Sequence, residues 1–242
     1  MATSVFAIGD IHGRLDLLEP LLADIFTSPL YRPGSQIVFL GDYIDRGPAT
    51  GGVIERLAGL PAQGVNAVFL TGNHELALLD FLERPEEETF WLQWGGVETA
   101  ASYGVQAGGP IHSLAFRRAV RDQLVQSIPA RHVAFLRALR LHHLALDTLF
   151  VHAGIRPGIP LERQSVEDLT FIRGEFLNDR RPHPWYIVHG HTPVFEPDIR
   201  DNRANIDTGA FATGVLTCLV VTEKGRFLLE RPALDKRPGQ FH

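Results

Sequence analysis

Short apolar runs rich in Val, Ile and Phe recur along the chain, and most stop at Gly, Asp, Asn or His. Val5 to Ile8, Ile37 to Leu40, Val65 to Leu70, Leu149 to Val151 and Tyr186 to Val188 are short and largely apolar, which predicts buried strands that end in polar loops. Helical patterns separate the early strands. Leu15, Leu18, Leu21, Leu22, Ile25 and Phe26 recur at helical spacing until Ser28-Pro29 stops the run, and Val53 to Leu60 and Glu75 to Leu82 repeat the arrangement. From about Glu83 to Leu139 the pattern is helical. Pro85 followed by Glu86, Glu87 and Glu88 predicts a first helical turn there, with acidic groups at the positive end of the dipole.

Beyond Leu141 strands return, at Leu141 to Leu146, Leu149 to Val151, Tyr186 to Val188, Asn205 to Asp207, Leu216 to Val221 and Phe227 to Leu229. Glu223-Lys224-Gly225 predicts a hairpin turn between the last two. A chain that begins as α/β and ends mostly as β predicts two stacked sheets flanked by helices, an α+β or α/β architecture. The expectation is one domain over residues 1–242, with a helical insertion at about 84–139 and a Pro-containing tail at about 232–242 that frays.

Five polar blocks stand where predicted strands end: Gly9-Asp10-Ile11-His12-Gly13, Gly41-Asp42-Tyr43-Ile44-Asp45-Arg46-Gly47, Gly72-Asn73-His74-Glu75, His152-Ala153-Gly154 and His189-Gly190-His191-Thr192. Loops at strand ends are the usual place for sites in sheet-based enzymes. Oxygen and nitrogen ligands without sulfur suit divalent ions such as Mn, Fe or Zn. Asp10 and His12, two apart on an extended segment, can grip one ion from the same face. Asp42 is the natural carboxylate to bridge two ions, and Asn73, His152 and His191 complete a second. Each block alone has a plain structural explanation, Asn73 as a helix N-cap and His152 as a hydrogen-bonded core histidine. Five placements of ligand types in series favour the functional one.

Composition narrows the setting. The chain has 242 residues, of which 45% are hydrophobic and 21% charged, and this excludes a disordered or collagen-like polymer. A single cysteine excludes intramolecular disulfides and four-cysteine zinc sites, and it fits a site built from hard oxygen and imidazole ligands, with eleven histidines in the chain. The net charge of −5, without blocks of like sign, argues against a general nucleic-acid binder. No apolar stretch is long enough to span a bilayer, and Met1 to Ser4 lead into the first strand without a basic leader, so the expectation is a cytoplasmic protein with neither membrane nor nucleic acid as a partner.

The five blocks, in this order and spacing from Gly9 to about Val221, resemble the metallophosphoesterase superfamily, and within it the small bacterial and bacteriophage phosphoprotein phosphatases of the serine/threonine type. The resemblance implies a two-sheet β-sandwich flanked by helices, with two metal ions, Mn foremost and Fe or Zn otherwise, at the sheet edge. It implies Asp10 and His12 on the first ion, Asp42 as the bridge, and Asn73, His152 and His191 on the second. His191 is preferred to His189 because the family's ligand follows the glycine, here Gly190. Pro193 stands where many members carry a further histidine, which leaves the first ion with fewer protein ligands.

The resemblance also implies Arg46 and Arg173 as phosphate holders, His74 as the acid that protonates the leaving group, and Asp45 as its orienting partner. His74 would then project beside the metals rather than among them. Arg156 is open between a phosphate contact and a surface ion pair, and Trp91 and Trp94 between an aromatic rim and core packing. Asp207 is expected to be structural. The implied reaction is direct hydrolysis of a phosphomonoester by a water activated between the ions, on a phosphorylated protein or a small phosphoester. The alternatives are a symmetrical diadenosine tetraphosphatase or other nucleotide phosphohydrolase, and a binding module without activity.

Overall fold

The computed structural model describes residues 3–87 and 90–229. The expected fraying tail and Glu88 lie outside the described residues. The chain starts with β1 (Ser4–Ile8), α1 (Leu15–Thr27), β2 (Gln36–Phe39), α2 (Thr50–Gly59), β3 (Ala67–Phe69) and α3 (Asn73–Glu83). The strand-loop-helix repeat is therefore present three times, although the third strand is shorter than its apolar run.

Helices α4 (Gly96–Ser102), α5 (Leu114–Ser127) and α6 (Ala130–Arg137) fill the middle. Pro85 to Glu87 form a turn rather than the expected first helical turn. A short 3-10 segment, Trp91–Trp94, comes next and leads into α4. The second half contributes β4 (His142–Ala145), β5 (Thr148–Val151), α7 (Val166–Phe171), α8 (Gly174–Leu177), β6 (Tyr186–His189), β7 (Asp198–Ile199), β8 (Arg203–Asn205), α9 (Ala210–Thr213), β9 (Cys218–Thr222) and β10 (Gly225–Leu228). The predicted strand from Leu141 to Leu146 is half of a hairpin, turned by Leu146 and Asp147, both at positive φ.

These strands form two five-stranded mixed sheets, β10-β9-β1-β2-β3 and β4-β5-β6-β8-β7. The two-residue period of a strand explains how they stack. Val5 and Ala7 of β1 face the other sheet, packing with Val38, Val68, Phe150 and Val188, while Phe6 and Ile8 face the helices α1 and α2. Likewise Leu149 and Val151 point away from Phe150, towards Leu169 and Phe176 of α7 and α8. Both faces of the central strands are buried, so they read as continuous apolar runs instead of alternating ones. The helical insertion packs Trp91, Ala100, Val120 and Leu124 into the core on the helix side of the first sheet.

Candidate metal and phosphate site

Strands β1, β2 and β3 are parallel, as are β5 and β6, so the loops after them leave from matching ends. The five polar blocks meet there. The loops are tight enough to force unusual backbone: His12, Asp42, Asp45, Arg46 and His191 all lie at φ between 45° and 70°, in the left-handed region. Apart from the hairpin residues Leu146 and Asp147, these are the non-glycine residues in that region among the described ones. Such strain persists where surrounding contacts over-determine it, and it concentrates at functional sites.

Glu75 supplies much of that determination. Its buried carboxylate accepts hydrogen bonds from the backbone N–H of Asp42 (2.9 Å), Tyr43 (2.7 Å) and Gly72 (2.8 Å). It thereby ties the second polar block to the N-terminus of α3. Gly72, not Asn73, is the N-cap of that helix. Asn73 is its first residue, so its side chain is free of the capping role, while the Asp42 carboxylate accepts from the His74 N–H at 3.2 Å.

Two sets of buried groups converge: His12, Asp42 and His74, and Asp42, His152 and His191, each with ligand atoms within 4.8 Å of one another. Asp42 is common to both. His12 Nδ1 donates to the Ile44 carbonyl at 2.7 Å, and His152 Nδ1 donates to the Leu40 carbonyl at 2.9 Å. A carbonyl can only accept, so in the neutral rings both protons sit on Nδ1 and the Nε2 lone pairs point inward. His152 Nε2 then faces Asn73 Oδ1 at 3.1 Å and Asp42 Oδ1 at 3.4 Å, and His12 Nε2 faces Asp42 Oδ2 at 3.6 Å. Lone pairs turned on one another without a proton between them form a donor set that fits a cation. Imidazoles fixed from behind by carbonyls are the usual support for metal ligands.

Electrostatics point the same way. Burial lowers His12, His152 and His191, the last to about 2, with His74 or His152 adding to the effect for His12 and His191. Asp42 is held below the usual carboxylate range. Burial pushes it up, but the imidazoles of His152, His74, His12 and His191 outweigh that. Asp10 joins neither set. Its carboxylate accepts from the His191 N–H at 3.1 Å and stands against Asp207. Burial, Asp207 and Asp42 raise Asp10 well above its ordinary value, while burial and Asp42 raise Asp207 to about 6. Asp207 is thus part of the carboxylate cluster. Buried carboxyls this close hold protons that a bound cation would displace.

The family model of the calcineurin-like phosphoesterases matches residues 3–213. The chain belongs to that family. Its relatives include a bis(5'-nucleosyl)-tetraphosphatase PrpE [asymmetrical] from Oceanobacillus iheyensis, 29% identical, covering 90% of this chain and 88% of the relative. The protein of the same name from Anoxybacillus flavithermus is 32% identical, covering 88% of each. A solved structure described as a putative diadenosine tetraphosphatase superposes with a TM-score of 0.65 at 21% identity, over 94% of this chain and 93% of the other, which supports the fold.

In this phosphoesterase both expected arginines reach the site. Arg46 Nη2 lies 3.3 Å from His74 Nε2, with its guanidinium 4.6 Å from the Phe211 ring centroid, and Arg173 Nε donates to His191 Nε2 at 3.1 Å. Arg156 does not reach it. That side chain pairs with Asp168 at 2.8 Å and with Glu175, as a surface ion pair. His189 is buried against Phe176 and Arg203, which gives it a packing role.

His74 lies closer to the metal-type ligands than expected, with Nε2 3.8 Å from Asp42 and its ring 4.8 Å from that of His12. Its Nδ1 donates to Asp45 at 2.6 Å. Burial works against protonation of His74, but Asp42 and Asp45 outweigh it and raise its pKa. The insertion holds Asp45 from behind, through Thr99 Oγ1 at 2.6 Å and Trp91 Nε1 at 3.0 Å. Neither residue carries a recognisable motif. The pairing of Trp91 with an acidic partner becomes visible only when the insertion folds back on the second loop.

Two outcomes follow. Glu75→Ala should cost about 4 kcal/mol in urea unfolding, because three buried N–H groups lose their acceptor. A loss below about 1 kcal/mol would refute the clamp. Manganese at about a hundredfold excess over Kd should raise the Tm of metal-free protein by roughly 5 to 10 °C, and Asp42→Asn should remove most of that rise. The rise should grow between about pH 5.5 and pH 7.5, since carboxyls raised as Asp10 and Asp207 are must release protons before a cation binds. A pH-independent rise would contradict this.

Proposed function

We propose that this phosphoesterase hydrolyses bis(5'-nucleosyl) polyphosphates, cutting a phosphoanhydride bond with the help of two bound divalent ions. The observation that carries the substrate class is the likeness to bis(5'-nucleosyl)-tetraphosphatases, 29% and 32% identical along nearly nine-tenths of the chain. The alternative nucleotide substrate expected from the sequence therefore takes precedence over the phosphoprotein. The relatives' names carry the word asymmetrical, so the products proposed are a nucleoside triphosphate and a nucleoside monophosphate rather than two diphosphates.

His12 and Asp42, with Asp10 added on the family resemblance, would hold one ion, and Asp42, Asn73, His152 and His191 the other. When bound, such ions lower the pKa of a water and neutralise phosphate charge. The remaining work falls to the chain. Arg46 and Arg173 stand on opposite flanks of the cluster, beside His74 and His191, where two guanidinium groups can hold the equatorial oxygens of one phosphoryl group. With Nδ1 held by Asp45, protonated His74 would carry its second proton on Nε2, which would turn from Arg46 to a leaving oxygen bound beside it. Its proton goes to that oxygen, and no phosphoenzyme is required.

In the presence of manganese, kcat/KM for bis(5'-adenosyl) tetraphosphate should exceed that for phosphoserine peptides by about a hundredfold or more. The reverse order would overturn the substrate class. His74→Asn should slow alkyl phosphate esters by about a hundredfold or more, and the anhydride much less, because a phosphate leaving group needs little protonation. Equal losses on both would argue against the acid role.

A further inference from the structure

Next to His74 runs a groove of about 470 Å³ that the reaction described above does not use, walled by Leu76 and Leu79 of α3, by Phe90 and Trp94 of the insertion, and by Phe171 of α7. Trp94 and Phe171 border the reaction centre itself. The Trp94 ring lies 6.1 Å from that of His74, and the Phe171 ring 6.2 Å from that of His191. Phe90 and Trp94 are nearly parallel, at 21°, with Phe171 tilted by 59° to Trp94 on the other side. The rings remain 53%, 37% and 38% exposed, for Phe90, Trp94 and Phe171. Contiguous exposed aromatic surface at the mouth of a charged site marks a place where a ligand is expected.

We propose that this groove stacks the base of the nucleoside monophosphate that leaves in the reaction. The inference rests on the nucleotide reading of the site. Three features select that occupant. The groove lining contains no lysine or arginine, and its acidic residues Asp80 and Glu83 are paired with Arg84 and Arg137, so it suits a planar uncharged group and offers a phosphate chain no cation of its own. Its walls are side chains of helices and a 3-10 turn, with no strand edge to pair with an extended peptide. It also borders the centre at His74 as well as at His191, and the His74 border is where the proposed leaving group departs. A base separated from the broken bond by one phosphate and one ribose reaches it, whereas a triphosphate leaving group would carry its base well beyond.

The placement fixes the bond chemistry. The water oxygen bonds to the β-phosphorus counted from the leaving nucleoside, and the bond from that phosphorus to the α–β bridging oxygen breaks. The bridging oxygen leaves on the monophosphate with the proton from His74, and the water's proton goes to solvent. The triphosphate product therefore carries the oxygen from water.

The test uses bis(5'-adenosyl) tetraphosphate and manganese with the full chain. Trp94→Ala and Phe171→Ala are each expected to lower kcat/KM about tenfold or more, with Trp94→Phe and Phe171→Tyr restoring most of it, while the manganese-dependent rise in Tm is retained. Hydrolysis in ¹⁸O-water is expected to label ATP and leave AMP unlabelled. Label in AMP, kcat/KM within twofold of wild type in both alanine variants, or loss of the manganese response together with activity would each overturn the proposal. So would a loss confined to phosphopeptide turnover. Wild-type protein that cleaves an aryl phosphate but not the dinucleotide would overturn the substrate class and the groove's role together, whereas the other failures leave the substrate class standing.

Discussion

Three backbone N–H groups pointing at one buried carboxylate hold this active region together. Glu75 fastens Asp42 and Tyr43 to the start of α3, and almost everything with a chemical role hangs on those two segments. Asp42 is shared by both ligand sets, Asp45 and Arg46 follow it in the same loop, and Asn73 and His74 precede Glu75 on the helix. A single acceptor thus aligns Asp42, the Asp45–His74 pair and Arg46, the residues to which the proposed reaction assigns bridging, proton donation and phosphate binding. Burial and the nearby Asp42 raise Glu75 to about 7, so the clamp works against its own electrostatic setting. A cation bound beside Asp42 would reduce that opposition and so favour the clamped loop geometry.

The same coupling explains why the backbone tolerates left-handed non-glycine residues at His12, Asp42, Asp45, Arg46 and His191. Each such residue costs about 1 kcal/mol or more, and the buried carboxylates cost more. The sandwich beneath offsets these costs with two tightly packed layers, Val5, Val38, Phe150 and Val188 between the sheets and Phe6, Ile8 and α1 outside the first. Glycines allow the remaining close approaches. A Cβ at Gly190 would strike the Asp10 carboxylate, and one at Gly41, at φ 106°, would meet the Gly72 backbone at 2.6 Å.

Much of this was legible in the sequence because it is local. Apolar runs ending at Gly-Asp, Gly-Asn and His mark strands whose following loops carry the clustered polar groups, and the shortness of the β5 run against the 3.6-residue period of α1 separates strand from helix. What stayed hidden depends on distant segments. The ring of Phe211 beneath Arg46, the Thr99 hydroxyl behind Asp45, and the pairing of Asp207 with Asp10 join residues far apart in sequence. The short helices α7 and α8 were hidden for another reason. With six and four residues they are too brief for a periodic pattern, and Ser165 and Asp168 make the capping box that starts the first of them. The turn at Pro85 shows the limit of local signals, since proline and acidic residues suit a loop as well as a first helical turn.

The insertion resolves a choice that composition left open, because its two tryptophans take different parts. Trp91 is fully buried, with its indole N–H on Asp45, and Trp94, three residues later in the same 3-10 turn, stands beside His74 at the surface. Residues three apart eclipse one another in a 3-10 turn, so both rings lie on one side of it, one deeper than the other. The deep ring holds Asp45 and the shallow ring borders His74. A displacement of this turn would therefore move the Asp45–His74 pair and the groove wall together. If His74 protonates the leaving group and the groove binds it, as proposed, both tasks depend on one turn of an insertion that contributes no member to either of the two His/Asp clusters.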